Sequence, residues 1–139
     1  MGSRIKTQQT QSQKIHAQQG QSLVELALVL PILLLFLSVL FDGGRAAQGY
    51  ISIMNASREA AMAGAQSVLS DTQLTAIART EVARNGLDGG RLTVTVTYAG
   101  SSPSQTITVA VRYVMPVITS VSPVPDYTLS TSAQMLVFR

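Results

Sequence analysis

The 19 residues from Leu23 to Phe41 form an apolar run interrupted only by Glu25, Pro31 and Ser38. At a rise of about 1.5 Å per residue, a helix over them spans roughly 28 Å, close to a bilayer hydrocarbon core of ~30 Å. The run therefore reads as a transmembrane helix, and it leaves enough of the 139-residue chain for one modest folded domain. A carboxylate inside such a span costs roughly 2.5–3.5 kcal/mol at the bilayer centre and less near an end. Glu25 lies near the end, five residues beyond Gly20, and a cost of that kind points to a role. Pro31 removes one backbone donor and frees the carbonyl of Ala27, which predicts a helix kink.

Charge divides the chain at the same boundary. Arg4, Lys6 and Lys14 precede Gly20 with no acid beside them, whereas the remainder carries seven arginines and seven acids. The net charge of +3 thus belongs to the first 20 residues. Basic residues ahead of a span stay on the cytoplasmic side, which places the N-terminus inside and the bulk of the chain outside. Residues 1–20, rich in Gln, Ser and Thr, read as a disordered cytoplasmic leader.

Beyond the membrane the helical pattern continues. Tyr50, Ile53, Met54, Ser57, Ala60, Ala61 and Gly64 recur at helical spacing. Ala56, Ala60, Ala63, Gly64 and Ser67 form a face small enough for close backbone approach, either to the chain's own sheet or to a partner. Gly43, Gly44 and Gly49 each weaken a helix by about 1 kcal/mol relative to Ala, predicting flexibility or a bend. Ser70-Asp71-Thr72-Gln73 reads as a capping box that opens a second helix, and Asn85-Gly86 as its stop.

The rest alternates with period two. Leu92, Val94, Val96 and Tyr98 share one face of a strand, and Ile107, Val109, Val111 and Tyr113 one face of the next. Pro116, Pro123 and Pro125 oppose continuous sheet between Met115 and Asp126. A last strand, less clearly alternating, is expected from about Tyr127 to Phe138. The expected class is α+β: a long N-terminal transmembrane helix extending out of the membrane, a short second helix, then a small antiparallel β-sheet. The expected division is a leader (1–20), a transmembrane helix (21–42), an extracytoplasmic helix extension (43–69) and a small α+β domain (70–139).

A short basic leader, Gly20, Glu25 five residues on, an apolar helix and a β-rich C-terminal part together resemble type IV pilin-like precursors. More narrowly, Gly20-Gln21-Ser22-Leu23-Val24-Glu25-Leu26-Ala27-Leu28-Val29-Leu30-Pro31 looks like the start of the TadE-like family. Gly44-Arg45 and Asn55-Ala56-Ser57-Arg58-Glu59-Ala60-Ala61 are similar to the rest of that family's N-terminal motif. The resemblance implies a minor pilin or pseudopilin of the tight-adherence (Flp-type) pilus machinery. It implies a membrane-embedded prepilin peptidase that cuts after Gly20, so that Gln21 becomes the mature N-terminus and Glu25 its fifth residue. The implied partners are that peptidase, other Tad pilins and pseudopilins, the pilus assembly platform and membrane lipid. Leu26 departs from the Tyr usual in the major pilins of these systems, which favours a minor component.

The residues themselves support an assembly role for Gln21 and Glu25. A new amine at Gln21 and the Glu25 carboxylate are opposite charges at the hydrocarbon edge, and pairing them offsets part of the cost of burying each. The bland alternative is a Glu25 side chain that only snorkels to the interface. An ordinary signal peptide, cut near Gly44-Arg45-Ala46, would need an apolar region longer than the usual 7–15 residues and tolerant of Glu25.

Enzymatic function is not expected. The sole histidine, His16, lies in the leader, and there is no G-x-S-x-G elbow, no phosphate-binding Gly-Lys loop and no cysteine. No metal or other cofactor is expected. Nucleic-acid binding is disfavoured because the chain after Gly20 has no basic excess. The competing function is a signal-anchored surface domain that binds an external ligand and has no part in a pilus.

Overall fold

The computed structural model describes residues 3–101, 104–117 and 126–137, with side chains from residue 20 onward. The elements are α1 (Ser3–Gln66), α2 (Asp71–Arg84), a 3-10 turn (Gly89–Arg91), and strands β1 (Leu92–Ala99), β2 (Thr106–Met115) and β3 (Tyr127–Leu136). Two compact units divide the chain, Met1–Leu40 and Phe41–Arg139.

The first unit is entirely helical over its described residues. Its helix begins at Ser3 and so corrects the expectation of a disordered leader. Gln, Lys, Arg and Ala are good helix formers, and no proline interrupts them before Pro31. Once the apolar segment has formed helix, adding turns at its N-terminal end avoids the unfavourable nucleation step. The helix also runs unbroken through Gly20 and through Pro31.

In the second unit α1 continues to Gln66 without interruption at Gly43, Gly44 or Gly49. Gly43 and Gly44 have open space around them, whereas Gly49 and, further on, Gly64 are held by packing. A Cβ at Gly49 would run into Met115 Cε, and one at Gly64 into Ile107 Cδ1. Gly49, Ile53, Ala56, Ala60 and Gly64 follow one another at spacings of three or four, and all are buried. This small face lies along β2, its N-terminal end at Met115 and its C-terminal end at Ile107. The two destinations open to the Ala56–Ser67 face are thereby resolved for Ala56, Ala60 and Gly64, which pack on the chain's own sheet. Ser67 is exposed and does not join them.

Helix α2 has the expected termini. The Ser70 side chain accepts from the Gln73 amide while the Gln73 side chain accepts from the Ser70 amide, a complete capping box. At the other end Gly86 N–H donates to the Ala83 carbonyl and Leu87 N–H to the Val82 carbonyl. With Gly86 at φ 76, this is a Schellman motif, and glycine supplies the left-handed conformation at no steric cost. Leu74, Ala78 and Val82 bury the α2 stripe, and α2 packs against β1.

The three strands form an antiparallel sheet in the order β1-β2-β3. Registers Val96↔Val109 and Val109↔Ala133 align the apolar rows on the helix-facing side. Thr95↔Ala110↔Ser132 and Thr97↔Thr108↔Gln134 align hydroxyl and amide rows on the other. The strands run slightly longer than the alternation alone predicts, with β2 extending to the buried Met115. β3 alternates regularly between half-buried and exposed residues to Leu136, and Phe138, included in the expected strand, lies outside the described residues.

Candidate functional site

The residues singled out for processing and assembly lie on one exposed helical stretch. Gly20 has open space where a side chain would be, and Gln21 beside it is exposed. One turn further, the Glu25 carboxylate accepts a hydrogen bond of 3.2 Å from the Gln21 side-chain amide. The contact follows from helix geometry, because side chains lean toward the N-terminus and residues four apart share a face. Glu25 is therefore already oriented toward the turn that contains the Gly20–Gln21 bond. Its contact is exposed, with no intramolecular burial holding it.

The apolar residues that follow have no cover within the chain. Every residue from Leu23 to Phe41 is exposed except the half-buried Ser38, with Leu23 at 67% and Phe41 at 74%. Ser38 satisfies its hydroxyl by donating to the Leu34 carbonyl at 2.9 Å, the usual way a helical serine hides its polar group in apolar surroundings. One helix is thus long and apolar enough to cross a membrane. Pro31 sits within it as one of its exposed residues.

Where the second unit begins, Arg45 ties α1 to the end of β2. Its guanidinium donates to the Pro116 carbonyl at 3.3 Å and toward Met115 Sδ at 3.8 Å, and lies 3.5 Å from the Asp42 carboxylate. The Asp42 side chain is only 17% exposed, so this pair is shielded more than an ordinary surface ion pair. Beyond β2, Asp126 accepts from Val117 N–H and lies 3.7 Å from Arg91, joining the starts of β1 and β3 across the end of β2. Tyr113, buried in the core, accepts at its hydroxyl from Asp88 N–H at 3.3 Å.

Sequence reasoning missed the roles of Arg45, Gly49 and Tyr113. Gly49 was accessible in principle: the small face of Ala56, Ala60 and Gly64 extends back by seven residues to it. Arg45 and Tyr113 carry no local signal, because their partners are distant in sequence. Among the described residues no group of three His, Asp or Glu side chains gathers as a metal site requires.

A family model described as TadE-like protein matches residues 20–62. Residues 20–62 are TadE-like. The match opens at Gly20, takes in Gln21, Glu25 and the whole apolar segment, and ends within the face that packs on β2. Neither a curated protein nor a solved structure matches the chain. The TadE-like segment and its membrane-capable helix together support a membrane-anchored protein related to the Tad pilus.

Proposed function

We propose that this chain is a TadE-like minor pilin or pseudopilin, a non-catalytic structural component of Tad (Flp-type) pilus assembly. It is made as a single-pass precursor with its N-terminus in the cytoplasm and its second unit outside. A prepilin peptidase cuts it between Gly20 and Gln21, and other Tad pilins and the assembly platform are its partners. The observation that carries this reading is the family match opening at Gly20 and including Glu25, one helical turn from the exposed Gln21.

The cut changes the physics of the N-terminus in two ways. It removes Arg4, Lys6 and Lys14, whose charge resists transfer out of the membrane. It also creates an amine at Gln21, one turn from Glu25. In the uncut chain a neutral amide donates to Glu25; in the cut chain a cation is available, and charge-assisted bonds are shorter and stronger. Pairing that amine with the Glu25 of a neighbour would neutralise two charges at the hydrocarbon edge and fix axial register between the helices.

Glu25→Ala tests this role. Co-purification with other Tad pilins should fall at least tenfold while membrane insertion is retained, and Glu25→Gln should fall as well, since it keeps size but not charge. Undiminished co-purification of both variants would remove Glu25 from assembly.

A further inference from the structure

The helical layer does not cover the sheet evenly. α1 lies along β2 and α2 packs against β1, and over β3 the Leu129 side chain approaches α1 at Gly49. The inner face of β2 is buried, whereas Val94 and Val96 of β1 and Tyr127, Leu129, Ala133 and Met135 of β3 are only half-buried. Among the described residues no strand pairs with the outer edge of β3 or of β1.

Both edges also lack the usual protection. β1 and β3 contain no Lys, Arg, Asp, Glu or Pro over eight and ten residues. Soluble proteins normally blunt such edges with charge, proline or bulges, because unpaired N–H and C=O groups template strand addition.

We infer that the β3 edge is an interface for a second copy of this chain, which adds its β1 alongside β3 and continues the sheet. Three features of the fold select this occupant. β1 and β3 are each antiparallel to β2 and so parallel to one another. A second copy shifted sideways without being turned over therefore presents its β1 to β3 in the same parallel sense. The faces match in kind, with Thr93, Thr95 and Thr97 continuing the row of Ser130 and Ser132, and Val94 and Val96 continuing that of Leu129 and Met135. Finally, the inner-face residues of both edge strands are only half-buried, so joining the strands would cover both rows. The contact is head-to-tail, so it leaves a free β3 edge and can repeat. It does not rest on cleavage at Gly20.

Cysteine crosslinking of the full chain in native membranes tests it, since the chain has no cysteine of its own. Thr95 and Ser132 are exposed or half-exposed positions on the same face, two strands apart in one sheet. That separation is about 10 Å, too far for a disulfide within one chain, which needs Cα atoms under ~7 Å apart. Under mild oxidation the double variant Thr95→Cys/Ser132→Cys, or its register neighbours with Thr93→Cys or Thr97→Cys, should give a ladder of dimers, trimers and longer chains. Each single variant should stay monomeric. Adding Ser130→Lys, or separately Thr128→Lys, should reduce the ladder at least tenfold. Dimers from Ser132→Cys alone would mean a two-fold β3–β3 contact and overturn the inference. Absence of a ladder in all three registers, or a ladder insensitive to both lysines, would overturn it too.

Discussion

Helix α1 has one backbone geometry and two kinds of surroundings. From Leu23 to Phe41 its apolar residues are exposed all round, whereas from Gly49 to Ala65 one face is buried on a sheet and the other is solvated. The contrast lies in side-chain chemistry and not in helix formation. The first stretch is large and hydrophobic on every side, the pattern of a helix whose solvent is lipid or other helices. The second is mostly small where it meets β2, and its outer side mixes the polar Asn55, Arg58 and Glu59 with the exposed Ile51 and Met62, the pattern of a helix laid on a sheet. What covers the first stretch must come from outside the chain, and what covers the second is the chain itself.

Substitutions that remove the same kind of group from each stretch should break the symmetry between them most strongly. Ile53 is fully buried, and Ile53→Ala should cost about 2–5 kcal/mol of stability through lost transfer energy and a residual cavity. Leu34→Ala should change it by no more than about 0.5 kcal/mol, as exposed positions do. Urea unfolding of the full chain in detergent micelles, read by protease resistance of the β-sheet, would measure both. Equal losses would mean that the two stretches share one core.

Arg45 sharpens the comparison at the junction. Arg45→Ala removes the donor to the Pro116 carbonyl and the ion pair with the shielded Asp42, and should cost about 1–2 kcal/mol in the same assay. Arg45→Lys should restore little, because a point charge does not reproduce the guanidinium fork that reaches Asp42, Pro116 and Met115 together. A smaller effect of opposite sign is expected at Ser52. Its hydroxyl is buried in the sheet-covered half without a hydrogen-bond partner among the described residues. Ser52→Ala should therefore stabilise the second unit by about 0.5–1 kcal/mol, from relief of an unpaired polar group and better helix propensity.

Much of this architecture is legible in the amino-acid order because its causes are local. The apolar run, the Ser70–Gln73 capping box and the Thr/Val alternation of β1 each act within a few residues, and each is found where expected. The candidate site is legible for the same reason: Gly20, Gln21 and Glu25 lie within two helical turns, and their geometry follows from helix spacing alone. The features that were not legible depend on tertiary partners. Gly49 reads as a helix-weakening residue until Met115, 66 positions away, is seen to occupy the space its side chain would fill. Arg45 reads as a flanking charge until Pro116, 71 residues on, accepts from it. The leader's helix is a third kind of case, since polar composition alone reads as disorder while the adjacent helix from which it propagates lies outside it in sequence.

The central claim is that the exposed half of α1 is delivered to its surroundings by a cut after Gly20. Intact mass and N-terminal sequencing of the chain recovered from membranes test this most directly. The proposal predicts a mature chain lacking residues 1–20 and beginning at Gln21, and the precursor mass when the prepilin peptidase is inactivated. An uncut chain in the presence of active peptidase, or one beginning near Ala47, would contradict it.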